Sequence, residues 1–559
     1  MQINRRLMLG AGAAAVSGFA SAEAATRSSG GGRAHGAALS ALSRYADQHV
    51  RDWGLPGMTV CAVDRDGYVG FVTSGHANIE RRTPVGAEHL FQVGSISKVF
   101  TALTLYSLHE EGKLAPDTRV RDVLPNIPIA NGDTVTLQHL LNHTSGLPGN
   151  APILPDSGLW SAYEPGAHWH YSNTGYELLT HAIAKADGRL FHEAVEARVL
   201  APLSMNNSSA AIRSGDRRRY AQGYEPLYSD RPSFRPGPVA PAPWTNVETG
   251  AGSIAATAAD MALFLRFLLG LAEGRGGPVF SDATAAAFIA DPADAPNWSA
   301  DAQYGNGLAR LNVDERTYLH HTGGMVSFSS SMHVDPMAGV AAFASSNVGY
   351  RFGYRPRDVT IYACRLLRVA REGGDAPTPG PTRTNVPQPA RLTGEYIAAS
   401  GENFEIVADG ADQIAMRRDG GRNRMQSLAG PFFVCADSRF EMTGIRFEAE
   451  GEDIVRAWAD GVEFARVPHN GYQPPAPPEL ERLAGVYESD DRWNGPLWVI
   501  ARAGGLWLNN VERMTLLDDG SFRVGDDEWS PERVRFDGFV AGRPTRMLAS
   551  GVPYVRRFS

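Results

Sequence analysis

Ser95 and Lys98 stand three residues apart in the run Phe91-Gln-Val-Gly-Ser-Ile-Ser-Lys98. Lys98 is one of three lysines in a chain whose 53 basic residues are otherwise all arginine, and neither Lys113 nor Lys185 has a serine three places before it. Arginine keeps its proton in a protein, whereas a desolvated lysine can become a neutral amine and act as a base. Genomic base composition accounts for the arginine excess, but not for where the exception falls. On a helix, a spacing of three puts both side chains on one face. With Ser95 at the helix N-terminus, the backbone N–H groups favour negative charge developing at the nucleophile. A free lysine titrates near ~10.4, and burial beside a positive helix end lowers that value. Alone, the tetrapeptide reads equally well as a capping serine followed by a surface lysine.

Two further constellations change its meaning. Tyr171-Ser-Asn173 opens a helical pattern; a tyrosine held near a lysine can share its proton, and an asparagine amide can orient a substrate carbonyl or the lysine. In isolation the tripeptide would be a turn and a helix cap. His321-Thr-Gly-Gly324 follows a strand-like run, and Gly323 and Gly324 let a substrate approach the backbone and expose an N–H to an oxyanion.

These residues need a scaffold, and the pattern supplies one. A helix-like segment runs from Ala38 to Trp53, then a hairpin pairs Met58–Val63 with Tyr68–Thr73 around Asp64-Arg-Asp-Gly67. The helix opening at Ser95 is apolar on nearly every face to about Gly112, which predicts burial on most sides. Further helical patterns occupy Leu137–Leu141, Thr174–Lys185 and Ala256–Leu271, and strand-like runs return at Thr317–His320, Ser330–Val334 and Val340–Ser345. Strands at both ends with helices between predict an α+β domain, one antiparallel sheet covered by a helical lobe. After a Gly/Pro-rich linker at 373–389, two units open alike, Arg391-Leu-Thr-Gly-Glu-Tyr396 and Arg482-Leu-Ala-Gly-Val-Tyr487, about ninety residues apart. They predict tandem small antiparallel β-barrels, lipocalin-like, over 390–472 and 479–559.

The three constellations, in this order, resemble the boxes of the serine β-lactamase and penicillin-binding superfamily. The nearer resemblance is to its class C-like branch of esterases, D-aminopeptidases and D-alanyl-D-alanine carboxypeptidases. Leu140-Leu-Asn-His-Thr-Ser-Gly-Leu-Pro148, Ala251-Gly-Ser-Ile-Ala-Ala-Thr-Ala-Ala-Asp260 and Tyr304-Gly-Asn-Gly307 add to it. The resemblance covers roughly residues 37–370 and implies a β-lactamase-like fold. It implies that Ser95 is the acylated nucleophile, Lys98 its base and Tyr171 the proton shuttle to the leaving group. Asn173 would hold the substrate amide, and N–H groups of Ser95 and Gly324 would stabilise the oxyanion. His321 stands where the third box has lysine; a mostly neutral group there implies poor β-lactam hydrolysis and a bias toward esters or peptides. His143 and Ser145 are architectural in this reading. The tandem barrels resemble the layout of D-aminopeptidases, so the expected reaction is peptide cleavage beside a D-residue, of the D-aminopeptidase, D-Ala carboxypeptidase or linearised-microcystin peptidase type. A carboxylic-ester hydrolase and a non-catalytic binding or sensor protein stay open.

The remaining features set limits. Of the 559 residues, 43% are hydrophobic and 20% charged, and the net charge is −8; nothing points to a nucleic-acid partner. Cys61, Cys364 and Cys435 fit no metal or disulfide pattern, and His168-Trp-His170 and His320-His321 lack carboxylate or cysteine company. No metal or cofactor is expected; the partner is a small peptide or ester substrate, and a homodimer is compatible with the barrels. Arg217–Arg219 reads as a solvated loop. Arg5-Arg6, an apolar stretch from Leu7 to about Ala20 and Ala22-Glu-Ala24 read as a twin-arginine export signal over residues 1–25. The expected catalytic domain is 26–372, periplasmic or secreted, without membrane insertion after processing.

Overall fold

Every residue of the strand Gly57–Asp64 is buried, because it lies inside a sheet with helices on both faces. In order, the nine strands are Ala293–Asp294, Gln303–Gly305, Leu308–Val313, Arg316–Gly324, Ser329–Asp335, Val340–Ser346, Gly57–Asp64, Val69–Asn78 and Thr83–Pro84. All neighbours are antiparallel, and Gly57–Asp64 joins the two ends of the domain by pairing Val60 with both Ala344 and Val72. Side chains alternate between two cores. Val60, Ala62, Ala342 and Ala344 meet the helices Arg33–Trp53 and Arg357–Glu372, while Cys61, Val63, Ala341 and Phe343 join the core of Ser97–Glu110 and Ala258–Leu271. The helix Ser97–Glu110 is buried from Ser97 through Leu108, as its unbroken apolar surface requires, and Phe100 stacks on Phe264 at 4.1 Å.

The computed structural model describes residues 33–557 apart from 156, 157, 229, 233, 234, 383, 384, 436, 438 and 470. The export signal expected at 1–25 lies outside the described residues. Among those described, no helix is long and apolar enough to cross a membrane, no group of His, Cys, Asp and Glu could hold a metal, and Cys61, Cys364 and Cys435 are buried. The linker is tied down: Tyr362 donates to the Pro377 carbonyl at 3.0 Å, and Trp53 donates to the Thr382 carbonyl.

Two closed eight-stranded barrels follow, the first from Gly394–Ala398 to Val462–Arg466, the second from Gly485–Glu488 to Val552–Arg556. The repeated signature has one physical meaning in both. Tyr396 and Tyr487 are fully buried, and their hydroxyls donate to the Leu392 carbonyl at 2.9 Å and the Leu483 carbonyl at 2.7 Å. An arginine of each last strand, Arg466 or Arg556, packs on the signature glycine and donates to the Thr393 or Ala484 carbonyl.

Candidate active site

Ser95 does not begin the helix. It sits in a one-turn 3-10 segment, Gly94–Ile96, that leads into Ser97–Glu110. Gly94 takes φ +57, open to glycine at little cost, and a Cβ on it would fall 2.7 Å from the Gly324 nitrogen. A Cβ on Gly323 would fall 1.9 Å from the Val93 carbonyl oxygen. Two glycines thus let the turn that carries Ser95 rest on the end of the strand Arg316–Gly324. Ser330 Oγ donates to the Val93 carbonyl at 2.7 Å and Val93 N–H to the Ile254 carbonyl at 3.0 Å, locking the turn from behind.

Lys98 is wholly buried beneath it. Its Nζ lies 3.1 Å from Ser95 Oγ, 2.7 Å from Asn173 Oδ1 and 2.9 Å from the Ala251 carbonyl oxygen. Burial holds its pKa well below the usual lysine value, and among the described residues no carboxylate pairs with it to offset the cost of a dry ammonium. A neutral amine fits the three neighbours: it donates its two hydrogens to Asn173 and Ala251 and turns its lone pair to the serine hydroxyl. Burial raises Tyr171 instead, opposed by the Ser95 hydroxyl and Arg355. Burial thus favours the neutral amine on Lys98 and the protonated hydroxyl on Tyr171, with Lys98 Nζ 4.9 Å from the tyrosine's ring centre.

The segment carrying Tyr171 and Asn173 is held at many points. Ser172 Oγ caps the helix Asn173–Asp187 by accepting from Gly175 N–H, and it donates to the Pro148 carbonyl at 2.7 Å. His143, with a left-handed φ of 61, accepts the Ser172 N–H on Nδ1 at 3.1 Å, the architectural part expected of it. Ser145, given the same part, is buried, and its Oγ accepts from Leu147 N–H at 3.4 Å. The Asn173 amide is committed on both sides, to Lys98 and to Asn150 Oδ1 at 2.8 Å; its first task is to orient the lysine. The second barrel contributes too. Glu532 accepts from Gly149 N–H at 2.7 Å and Ser550 Oγ at 2.5 Å, and lies 2.9 Å from His170 Nε2. Burial pushes this carboxyl up, but His170, Ser550 and Gly149 outweigh it and leave its pKa low. Trp529 stacks on His168 at 4.6 Å. The His168-Trp-His170 run, set aside as a metal site, is a docking surface for that barrel.

His321 is buried, with Nδ1 2.5 Å from the Thr322 carbonyl and Nε2 2.9 Å from the Tyr304 hydroxyl. Burial lowers its pKa to about 3. It is neutral, as its residue type suggests, but both ring nitrogens are engaged within the wall beside Trp298 and Tyr304. A cation does stand at this end of the strand. Arg355 lies with an Nη 2.5 Å from where a Gly324 Cβ would stand; burial lowers its pKa only to about 10, so it stays charged. The sequence carries no local mark for Arg355, which arrives from beyond the sheet.

Ser95, Tyr171, Asn173, His321 and Gly324 line one cavity of about 830 Å³, with Arg355, Trp298 and Glu177. Gly323 lies behind its wall, under the serine turn. The second barrel closes one side with Glu488, Asp490, Asp491 and Trp493.

The family model for beta-lactamase matches residues 42–365. The chain belongs to the beta-lactamase family of hydrolases. Penicillin-binding protein 4 of Amycolatopsis lactamdurans is 30% identical over 318 residues, 53% of this chain and 81% of that protein. Penicillin-binding protein 4* of Bacillus subtilis (strain 168) is 33% identical over 188 residues, 30% of this chain and 41% of the relative. The beta-lactamase of Escherichia coli (strain K12) is 30% identical over 180 residues, 30% of this chain and 48% of the relative. The match thus spans less than half the length of the latter two. Among solved structures, the octameric penicillin-binding protein homologue from Pyrococcus abyssi shares the fold with a TM-score of 0.55 at 22% identity, covering 77% of this chain and 100% of that one.

Proposed function

We propose that this protein is a serine peptidase that forms an acyl-enzyme on Ser95 and releases an N-terminal D-residue from small peptides. The observation that carries the reading is the dry Lys98 amine 3.1 Å from Ser95 Oγ, under a cavity into which the second barrel presents three carboxylates. Lys98 takes the serine proton as Oγ attacks the carbonyl carbon. The oxyanion forms against the N–H groups of Ser95 and Gly324, and Tyr171 passes the proton to the departing amine. Water then attacks the ester by the same relay run backward. Glu488, Asp490 and Asp491 favour a protonated α-amine at the acyl end, and Glu177 adds a fourth carboxylate. The preference for a D-residue rests on the resemblance of the tandem-barrel layout to D-aminopeptidases. Export to the periplasm or beyond, read from residues 1–25, belongs to the same proposal.

Mass spectrometry after fluorophosphonate treatment should find one adduct, on Ser95, absent from Ser95→Ala. D-Ala-Gly-Gly should be cleaved faster than L-Ala-Gly-Gly, and the N-acetylated D-peptide should fail. No labelling would make the chain a binding protein of this fold; labelling with ester turnover but no peptide cleavage would make it an esterase.

A further inference from the structure

A second cavity of about 800 Å³ adjoins the first, and Val247 and Trp493 line both. Its floor, Val326, Ser327 and Phe328, continues the chain that leaves the active-site strand at Gly324 through Met325. Its charge is opposite to that of the catalytic cavity's barrel side. Arg81, Arg217, Arg218 and His89 line it, and no aspartate or glutamate does. Among the described residues none of the three arginines is in an ion pair; Asp216, the nearest acid in sequence, is taken by Arg219. His89 has Glu88 at 3.5 Å, but that carboxylate points largely into solvent. Arg217 lies over the Trp244 ring at 5.8 Å, so its side chain is shelved along the wall. Tyr220 adds an independent sign. It is 6% exposed, lines the cavity, and its buried hydroxyl has no hydrogen-bond partner among the described residues, an orphaned polar group that a bound acceptor would satisfy.

We propose that this second cavity is the subsite for a carboxylate borne by the same peptide substrate. Trp493, at the tip of the barrel loop, divides a half that takes the amine from a half that takes the acid. A peptide with a free amino end at Asp490 and Asp491 runs past Val247 and sets its anionic part among Arg81, Arg217 and Arg218, within reach of the Tyr220 hydroxyl. The loop read as merely solvated at Arg217–Arg219 thereby acquires a task. This deepens the peptidase reading and rests on it for the identity of the substrate. The carboxylate is either an acidic side chain or the peptide's own C-terminus, which present the same group to the arginines.

Calorimetric titration of the Ser95→Ala protein separates these sources and needs no turnover. The probes are D-Ala-Gly-Gly-Glu, its Gln counterpart, and its C-terminal amide. Removing the carboxylate that the subsite holds should weaken binding about tenfold, the scale of one charge-assisted contact, and the gap should shrink as salt is raised. If the Gln form suffers, the side chain is the anchor; if the amide suffers, the terminus is. In the background of Arg217→Glu with Arg218→Glu the gap should close, and Tyr220→Phe should narrow it. Equal affinities for all three probes, a gap untouched by the charge reversal, or no binding of any probe would each overturn the subsite. Discrimination without cleavage by the Ser95 protein would sink the peptidase reading and leave the subsite standing; cleavage without discrimination would do the reverse.

Discussion

The two barrels are built to one plan and put to different use. Both close eight antiparallel strands around a buried signature tyrosine. Both send the connection between their fifth and sixth strands to the catalytic domain, and each carries a glutamate there, equally far past Tyr396 or Tyr487. In the first barrel this is Glu441, which meets Arg231 on a partly exposed loop. In the second it is Glu532, half-buried, which accepts from Gly149 and Ser550 and meets His170, the residue before Tyr171. The connection between the first two strands diverges further. It has four residues, 399–402, in the first barrel and eight, 489–496, in the second, and the extra length is what brings Asp490, Asp491 and Trp493 to the cavity. A duplicated domain can thus supply a brace from one copy and a cavity wall from the other, by lengthening one loop and giving one carboxylate three partners in place of one.

The largest effect should separate both barrels from the catalytic domain. Burial lowers His49 to about 4 and His321 and His333 to about 3, and holds His143 and His320 well below the ordinary value. Unfolded, these imidazoles titrate near ~6.5. Below that pH the unfolded chain binds protons that the folded domain refuses. Stability present above pH ~6.5 is therefore lost as pH falls toward the folded values, at up to about 1.4 kcal/mol per pH unit for each histidine. The barrels carry one histidine, His469, and it is exposed. Hydrogen exchange between pH 7 and 4 should find the sheet domain opening while the barrels stay protected; barrels that opened first would break the contrast.

Next comes Glu532→Ala, which strands Gly149 N–H and His170 in a partly buried interface. It should cost about 2 kcal/mol in thermal melts and lower kcat more than KM, because it loosens the tyrosine's segment rather than the binding wall. Cutting the loop 489–496 to four residues should leave the melt alone and reduce kcat/KM for free-amine peptides roughly 100-fold, the worth of one or two charge-assisted bonds, with fluorophosphonate labelling of Ser95 intact. Unchanged kcat/KM would mean that the wall is only a wall. Smallest should be Glu441→Ala: Arg231 keeps Asp230 at 2.9 Å, and loss of a surface pair is worth under about 1 kcal/mol. A penalty there equal to that of Glu532→Ala would erase the asymmetry between the copies.

What the sequence discloses follows from how far apart the cooperating residues lie. Ser95 and Lys98 are neighbours on one stretch of helix, so their relation is written in their spacing; Tyr171 and Asn173 gain meaning from the order of the boxes. The barrels were legible as a pair because Arg-Leu-x-Gly-x-Tyr repeats, and that phrase encodes a hydrogen bond and an arginine contact that both copies need. Strand counts were not, since strands of three to nine residues give too few alternations to separate from turns. The same likeness hid the divergence between the copies, which lies in loops without periodicity. Arg355 and Glu532 escaped notice because each reaches the site from a segment whose local pattern is ordinary; only the closed sheet and the docked barrel bring them in. His321 was read as mostly neutral from its residue type alone, but its bond to Tyr304 depends on a strand pairing that no single run of residues reveals.

The carboxylate at position 532 has a consequence in time. The ribosome delivers serine, lysine and tyrosine hundreds of residues before it delivers the acid that steadies the tyrosine's neighbour. A nascent chain that stops after the first barrel lacks the bonds by which Glu532 ties Gly149 and His170 to the second barrel. The segment that carries Tyr171 is therefore braced only late in synthesis.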